Sequence, residues 1–236
     1  MYHRPMDRPS PEMAGFILAG GKSTRMGADK AFVTLDGRTL LARALDLARS
    51  VTPDVRIVGE AAKFRAFAPV VEDVFPGCGP LAGIHAALRA SVAELNLVLA
   101  VDLPFVSREL LEYLIARART SDAMLTVTRA GGGWQPLCAI YRHAFADVAE
   151  SALRQGRYKI DALFYAPQTQ VIAEDELRAA GFSAAMFRNL NTPEDLAQAG
   201  KLDPTAELHR SFAAKTAAQD DKVLDDGRSQ EPRAKS

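Results

Sequence analysis

The residues best suited to chemistry lie in a glycine-rich stretch near the start of the chain. Two glycines, Gly20 and Gly21, follow a short apolar run, and three cations come soon after them, Lys22, Arg25 and Lys30. Glycine lets the backbone turn sharply and approach a ligand, because it carries no Cβ. Exposed backbone N–H groups together with cations, placed after a strand, favour binding of a polyanion such as a nucleoside triphosphate.

Two carboxylates each follow an apolar run. Asp102 comes directly after residues 95–101, the most apolar run of the chain, which predicts a central parallel strand. Open α/β sheets bind ligands at the carboxyl ends of such strands, so Asp102 is a candidate magnesium ligand. The alternative, a helix cap, is weakened because Ser107 is the better cap. Asp73 ends another short apolar segment, and its alternative is a solvated strand end.

These residues can meet only if strands and helices alternate along the chain. Apolar runs predict strands near residues 16–19, 54–59, 70–73, 95–101, 123–128, 137–141 and 187–191, and helical periodicity separates several of them. The alternation predicts an α/β fold, a three-layer αβα sandwich around a mainly parallel, Rossmann-like sheet. Such a sheet would collect the candidate residues at one edge.

Composition limits the kinds of partner. Lys plus Arg and Asp plus Glu number 29 each, so no overall charge favours nucleic acid or a membrane surface. The two cysteines, Cys78 and Cys138, have neither metal-ligand spacing nor a disulfide framework, which indicates a reducing compartment. No continuous apolar segment is long enough to span a bilayer. We therefore expect a cytoplasmic protein with no nucleic-acid or membrane partner.

The first loop matches a known signature. Residues 18–30 satisfy every specified position of Leu-Ala-Gly-Gly-x-Ser-x-Arg-Met-Gly-x-Asp-Lys, and the chain thereby resembles the molybdenum cofactor guanylyltransferases. Residues 79–83 resemble the Gly-Pro-Leu-Ala-Gly motif of that family, and residues 189–195 its closing motif Asn-x-Asn-Thr-Pro-Glu-Asp. A P-loop is rejected, because it would need a glycine where Phe16 stands. The remaining alternative for this loop is a glycine-rich turn with solvated lysines.

The resemblance implies a nucleotidyltransferase fold and a reaction. It implies transfer of GMP from GTP to the phosphate of molybdopterin, giving molybdopterin guanine dinucleotide and pyrophosphate, with Mg²⁺ as cofactor. It covers residues 14 to about 200. We therefore expect a disordered leader over residues 1–13, a nucleotidyltransferase domain over 14–202 and a disordered tail over 203–236. A phosphate nucleophile is already anionic at neutral pH, so no general base is required.

The resemblance also assigns residues. It implies catalytic roles for Arg25, Lys30 and Asp102, with the metal held by Asp102. The nucleotide-binding residues would be Leu18, Ala19, Gly20, Gly21, Arg25, Lys30, Asp73 and Asp102. Candidates for the acceptor side are Gln135, Asn189 and Asn191. The family often has an asparagine near the base where this chain has Val58 and Gly59, so a contact there must come from the backbone.

Other functions remain open at this stage. The resemblance implies GTP and molybdopterin as substrates, and it allows transient contact with molybdoenzymes or their chaperones. The alternatives are a cytidylyltransferase on the same acceptor, a sugar-phosphate nucleotidyltransferase, and a non-catalytic relative that binds nucleotide or pterin. Cytidylyltransferases of this superfamily tend to read Leu-Ala-Ala-Gly, so Gly20 favours guanine. Retention of Lys30 together with Asp102 argues against a purely binding role.

Overall fold

The computed structural model describes residues 12–20, 29–165, 168–190 and 195–196. Within these ranges the strands are β1 (Met13–Leu18), β2 (Thr34–Leu35), β3 (Arg38–Thr39), β4 (Val55–Val58), β5 (Val70–Val71), β6 (Leu95–Ala100), β7 (Leu125–Ala130), β8 (Gly133–Trp134), β9 (Cys138–Arg142) and β10 (Thr169–Ala173). The α-helices are α1 (Leu40–Arg49), α2 (Ala61–Phe64), α3 (Pro80–Ala90), α4 (Arg108–Arg119), α5 (Phe145–Arg154) and α6 (Glu174–Ala179). Short 3₁₀ helices cover Lys30–Phe32, Ile160–Leu163 and Ala184–Phe187.

The main sheet is mixed but mainly parallel in its centre. Its strand order is β10-β7-β9-β6-β1-β4-β5, with β8 paired to β7. The pairs β1–β4, β1–β6, β4–β5 and β7–β10 are parallel, whereas β9 runs antiparallel to both β6 and β7. The predicted Rossmann-like sheet is confirmed, and the carboxyl ends of β1, β4, β6 and β7 lie at one edge.

Helices cover both faces of this sheet. On one face, α1 and α4 pack against the odd-numbered side chains of β6, such as Leu97 and Leu99. On the other face, α3 and α5 pack against Phe16 of β1 and Val98 of β6. All six residues of β1 and all six of β6 are buried, as expected for strands covered on both sides. The predicted three-layer sandwich is therefore confirmed.

Local signals set the helix ends near the sheet edge. The hydroxyl of Ser107 accepts a hydrogen bond from the Leu110 N–H at 3.3 Å and so caps α4, as predicted. The hydroxyl of Thr39 caps α1 in the same way, by accepting from the Ala42 N–H at 3.2 Å. Neither cap involves Asp102, whose carboxylate is left for another role.

Some predicted elements differ from the structure. A strand over residues 187–191 is wrong for the described part of that range, because Ala184–Phe187 forms a 3₁₀ helix and residues 188–190 form no strand. Met186, Phe187 and Leu190 are instead buried in the core beside α4, so their apolar character reflects packing rather than strand pairing. β1 begins at Met13, inside the expected leader. The rest of that leader, apart from Glu12, and the expected tail lie outside the described residues.

No helix within the described ranges is both long and apolar enough to cross a lipid bilayer.

Candidate active site

An ion pair joins two candidate residues that lie 72 positions apart in the sequence. Nζ of Lys30 lies 3.0 Å from Oδ2 of Asp102, and their side chains are 20% and 17% exposed. A largely buried pair is screened by water less than a surface pair. The fold thus brings a cation from the first loop to the carboxylate at the end of the central strand, at the sheet edge.

Asp29 explains how Lys30 is positioned. Its Oδ1 accepts a hydrogen bond from the Ala31 N–H at 3.1 Å, and so caps the 3₁₀ helix that begins at Lys30. Its Oδ2 also lies 3.5 Å from Nζ of Lys63 in α2. Glu60 and Asp29 together raise the pKa of Lys63, so this lysine stays charged. Of the two residues that end the signature, Asp29 therefore has a structural role and Lys30 lies in the site.

Asp102 is fixed by backbone hydrogen bonds on either side. The Val101 N–H donates to the Leu18 carbonyl at 3.1 Å, which extends the pairing of β6 with β1 up to Asp102. The carbonyl of Asp102 itself accepts from the Leu190 N–H at 3.1 Å. That bond brings the segment containing Asn189 to the same edge, and Asn189 is exposed there. The described start of the closing motif, Asn189 and Leu190, thus lies beside Asp102.

The turn after β1 leaves two backbone groups for a ligand. The Leu18 carbonyl and the Ala19 N–H are already bonded to Val101 and Val58. By contrast, the Ala19 carbonyl and the Gly20 N–H make no hydrogen bond to another described residue. A base at this turn would meet these two groups, and the backbone contacts expected of Leu18 and Ala19 stay a prediction. Gly21 and Arg25 lie outside the described residues.

Packing does not require glycine at position 20. A Cβ on Gly20 would come no closer than 3.9 Å to another described residue, and the φ angle of Gly20 lies outside the left-handed region. Gly79 differs, because its φ of 74° is one that side chains rarely adopt. Gly79 precedes Pro80 at the start of α3, whose amino end faces the same sheet edge.

Asp73 lies just past the carboxyl end of β5, at the same sheet edge as Gly79. Its Oδ1 accepts a hydrogen bond from the Phe75 N–H at 2.7 Å. Partial burial raises the pKa of Asp73 above its usual value, and the Phe75 hydrogen bond and the nearby His85 partly offset this effect. The carboxylate thus bears a desolvation cost that a solvated strand end would avoid.

Gln135 and Asn189 have different surroundings. The side-chain amide of Gln135 donates to the Ala130 carbonyl at 2.9 Å, and its own N–H donates to the Thr128 carbonyl at 2.9 Å. Gln135 therefore fixes the turn between β7 and β9. Asn189 is exposed at the edge, and Asn191 lies outside the described residues.

The donor set at Asp102 fits a magnesium ion held mainly by substrate. In the described part of the chain, no group of three or more His, Cys, Asp or Glu side chains could hold a metal by itself. Magnesium commonly binds one or two carboxylates and completes its shell with water and substrate phosphates. A single carboxylate at the sheet edge suits that mode, whereas it does not suit a metal site made of protein ligands alone.

The buried nucleophiles are not suited to covalent catalysis. Burial raises the pKa of the Cys138 thiol to about 12, so it stays protonated at neutral pH. His85 is buried in α3, where its ring meets the Phe75 ring edge-on at 5.2 Å, and Nε2 lies 3.5 Å from a Glu150 carboxylate oxygen. His85 thus packs within the fold. The site therefore supplies charge and alignment rather than an attacking side chain.

Comparisons with known proteins match this arrangement. The model of the MobA-like NTP transferase domain matches residues 15–171. A protein of Pelotomaculum thermopropionicum named "Probable molybdenum cofactor guanylyltransferase" is 35% identical over 190 residues, which cover 80% of this chain and 92% of that protein. The chain belongs to the molybdenum cofactor guanylyltransferase family. It is therefore a nucleotidyltransferase.

Further members of the molybdenum cofactor guanylyltransferase family support the assignment. The molybdenum cofactor guanylyltransferase of Desulfosudis oleivorans is 35% identical over 190 residues, covering 79% of this chain and 94% of that protein. The crystal structure of molybdopterin-guanine dinucleotide biosynthesis protein A from Archaeoglobus fulgidus superposes with a TM-score of 0.70 at 31% identity. It covers 80% of this chain and 97% of its own. The similarity thus extends through the sheet and its edge.

Sequence reasoning missed two features of this guanylyltransferase family member. The Phe64 ring packs against Gly59 beside the first loop, and Arg129 lies over Trp134 at the end of β7. For Phe64 the sequence gives no signal beyond its apolar character. For Arg129 a weak signal exists, because it is a charged residue at the end of an otherwise apolar and threonine-rich strand.

Proposed function

We propose that this protein transfers GMP from GTP to the terminal phosphate of molybdopterin, forming molybdopterin guanine dinucleotide and pyrophosphate. The ion pair between Lys30 and Asp102 at the carboxyl edge of β6 carries the proposal. It places one cation and one carboxylate at the position where open α/β sheets bind ligands. The names of the relatives at 35% identity support the choice of nucleotide and acceptor.

The reaction needs little covalent help from the protein. An oxygen of the acceptor phosphate attacks the α-phosphorus of GTP, and the bond from that phosphorus to the bridging oxygen breaks as pyrophosphate leaves. The protein contributes alignment of the two phosphates and neutralisation of their charge. No general base is required, in keeping with the inert Cys138 and the packed His85.

Each candidate residue has a separate role in the proposed reaction. Lys30 offsets the charge of the triphosphate, and Arg25, outside the described residues, would add a second cation. The backbone of Ala19 and Gly20 recognises the base, and Asp73 lies close to the nucleotide. Asp102 would hold Mg²⁺, which when bound neutralises phosphate oxygens and the leaving pyrophosphate. Asn189 would contact the acceptor, as would Asn191, which is outside the described residues, and Gln135 would support the acceptor side through the turn that it holds.

Gly20 supports GTP over CTP. In the described residues neither packing nor backbone conformation requires glycine at this position. A missing Cβ at this position leaves room for the larger purine beside the turn. This chain has Leu-Ala-Gly-Gly, whereas cytidylyltransferases of the superfamily tend to have Leu-Ala-Ala-Gly.

Incubation of the purified protein with each NTP in turn tests the proposal. Each reaction contains Mg²⁺ and molybdopterin, and mass spectrometry identifies the product. We expect a GMP adduct with GTP, together with pyrophosphate. A CMP adduct formed faster than the GMP adduct would identify a cytidylyltransferase, and transfer to sugar phosphates alone would identify a different acceptor. Nucleotide binding without any product would leave a binding protein.

A further inference from the structure

The guanidinium of Arg129 is held over an aromatic ring at the edge of the sheet. Its Cζ lies 5.5 Å from the centroid of the Trp134 ring, and Trp134 in turn meets Phe164 edge-on at 5.2 Å. A cation over an indole gains electrostatic attraction from the ring and loses side-chain freedom. Arg129 is thus held in place by an aromatic pair rather than by a carboxylate.

The absence of a carboxylate partner distinguishes Arg129 from most arginines of the described chain. Arg56 pairs with Asp54 at 3.0 Å, and Arg117 pairs with Glu176 at 3.0 Å. Within the described ranges no ion pair involves Arg129. Its charge is therefore not neutralised by a described side chain.

Glu174 is the acidic residue nearest to Arg129 in the strand register, and its carboxylate has other partners. Arg129 pairs with Ala173 across β7 and β10, and Glu174 follows Ala173. One carboxylate oxygen of Glu174 accepts from the Gly131 N–H at 2.8 Å, and the other lies 3.4 Å from Arg178. Glu174 thus supports the turn after β7 and leaves Arg129 to another anion.

The position of the pair relates it to Asp102. The Ala100 N–H donates to the Leu137 carbonyl at 2.7 Å, which aligns the end of β6 with the start of β9. Asp102 lies just past the end of β6, and Trp134, on β8, lies just before the start of β9. Neighbouring strands are about 4.8 Å apart, so both residues reach the same edge close to each other.

Asp102 divides the sheet edge into two halves, which are formed by different elements. Gly20, Gly79 and Asp73 lie with β1, α3 and β5 on one side of Asp102, and the Arg129–Trp134 pair lies on the other side, with β9 and β7. If the first half holds the nucleotide, its α-phosphate at Asp102 must be attacked from the second half. The attacking group is a phosphate, and a guanidinium matches phosphate through paired N–H donors.

We infer that Arg129, held over Trp134, binds the phosphate of the acceptor and presents it to the α-phosphorus of GTP. This inference rests on the proposed function, because it assigns the acceptor phosphate of that reaction. It adds a binding residue to the acceptor candidates that the sequence provides. The same geometry makes Trp134 a reporter, since it is the single tryptophan of the chain.

Tryptophan fluorescence tests the inference without turnover. Molybdopterin is titrated into the wild-type protein before and after phosphatase treatment, and pyrophosphate and GTP are titrated separately. We expect molybdopterin to change the fluorescence and to bind about ten- to a hundredfold more tightly than its dephosphorylated form. In Arg129→Gln this difference should largely disappear, while the Kd for GTP stays unchanged. Arg129→Lys should retain part of it.

A matched variant controls for loss of a surface cation. Arg119 is exposed and pairs with Glu12 at the opposite end of the sheet, so Arg119→Gln should behave as the wild type does. In steady-state assays Arg129→Gln should raise the apparent KM for molybdopterin and leave the KM for GTP unchanged. Thermal melting should show that both variants fold normally, since both side chains are exposed.

Several results would overturn the inference. These are no fluorescence response to molybdopterin, an equal preference for phosphate in wild type and Arg129→Gln, or a GTP affinity that falls as much as the acceptor affinity. Failure of the proposed function appears differently. If the phosphate preference depends on Arg129 but no GMP adduct forms, the acceptor site is supported and the proposed GMP transfer is contradicted. If the adduct forms with an unchanged acceptor KM in Arg129→Gln, the proposed GMP transfer is supported and the acceptor site at Arg129 is contradicted.

Discussion

The Phe64 ring packs so closely on Gly59 that a Cβ on Gly59 would lie 2.8 Å from Cε2 of Phe64. Real β-carbons do not approach a ring carbon that closely, so any side chain at position 59 must displace the ring. Phe64 is buried, and its ring also stacks on Phe32 with centroids 5.8 Å apart. Gly59 is thus a glycine for reasons of protein packing, whereas a Cβ on the neighbouring Gly20 would come no closer than 3.9 Å to another described residue.

Gly59→Ala should destabilise the protein. The added methyl group forces the buried Phe64 ring to move, and overpacking of this kind typically costs about 1–3 kcal/mol. Urea unfolding of the wild type and the variant measures the difference. An unchanged free energy of unfolding would contradict the close packing of this ring on Gly59.

Gly20→Ala should leave stability unchanged but alter nucleotide selectivity. The new methyl group meets no described residue closer than 3.9 Å, so the protein can accommodate it. A guanine base at this turn would be crowded, which should lower kcat/KM for GTP about tenfold or more relative to CTP. The measurement is kcat/KM for both nucleotides with molybdopterin as acceptor. Equal losses for the two nucleotides would mean that Gly20 serves the turn and not the base.

Asp102→Ala should abolish turnover far more than it weakens GTP binding. In the proposed mechanism the carboxylate acts through magnesium where charge develops in the transition state, and loss of such an element commonly costs about a hundredfold or more in rate. GTP binding should persist, because Lys30 loses its carboxylate partner and remains a cation facing the triphosphate. Asp102→Asn is the isosteric control and should show the same loss. Normal magnesium-dependent turnover in either variant would contradict the metal assignment.

Lys30→Ala should raise the apparent KM for GTP and lower kcat together. In the proposed mechanism its ammonium neutralises phosphate charge in the ground state as well as in the transition state, which would affect both parameters. The substitution also leaves Asp102 without the partner that lies 3.0 Å away. Lys63→Ala is the matched control, since it removes an exposed lysine that contacts Asp29 and Glu60. A kcat loss with an unchanged KM would place Lys30 in the transition state only.

Asp73→Asn should preserve or raise stability at neutral pH and yet weaken GTP binding. Burial raises the pKa of Asp73, so the folded state binds the proton more tightly than the unfolded state does. The cost of the ionised carboxylate is therefore absent below its usual pKa of 3.8 and appears as the pH rises through the folded value. Asparagine removes that cost and can still accept from the Phe75 N–H.

Melting curves of Asp73→Asn and wild type across pH check this expectation. The gain in Tm at neutral pH should shrink to nothing in acid, where the wild-type carboxyl is also neutral. The Kd for GTP at neutral pH, measured alongside, should rise. A Tm that falls at neutral pH in the variant would show instead that the ionised carboxylate is needed for folding.

The sequence by itself determined the local features of the site. The glycines of the first loop, the apolar run that ends at Asp102 and the capping hydroxyl of Ser107 follow from residue type and spacing, because each acts on its own neighbours. These features predicted the class of fold and the edge at which the candidate residues lie. They also carried the resemblance that the comparisons confirmed.

Only the tertiary structure decided which distant residues meet. Lys30 reaches Asp102 across 72 positions because β6 pairs with β1, and no local pattern states that strand order. Because β9 runs antiparallel to β6, the segment before β9, which contains Trp134, lies at the same edge. There the Trp134 ring meets Arg129 of β7. The apolar residues near Phe187 read as a strand but pack as a 3₁₀ helix, because burial against α4 satisfies them without a sheet partner. Strand order and packing are properties of the whole chain, so the sequence pattern around any one residue could not supply them.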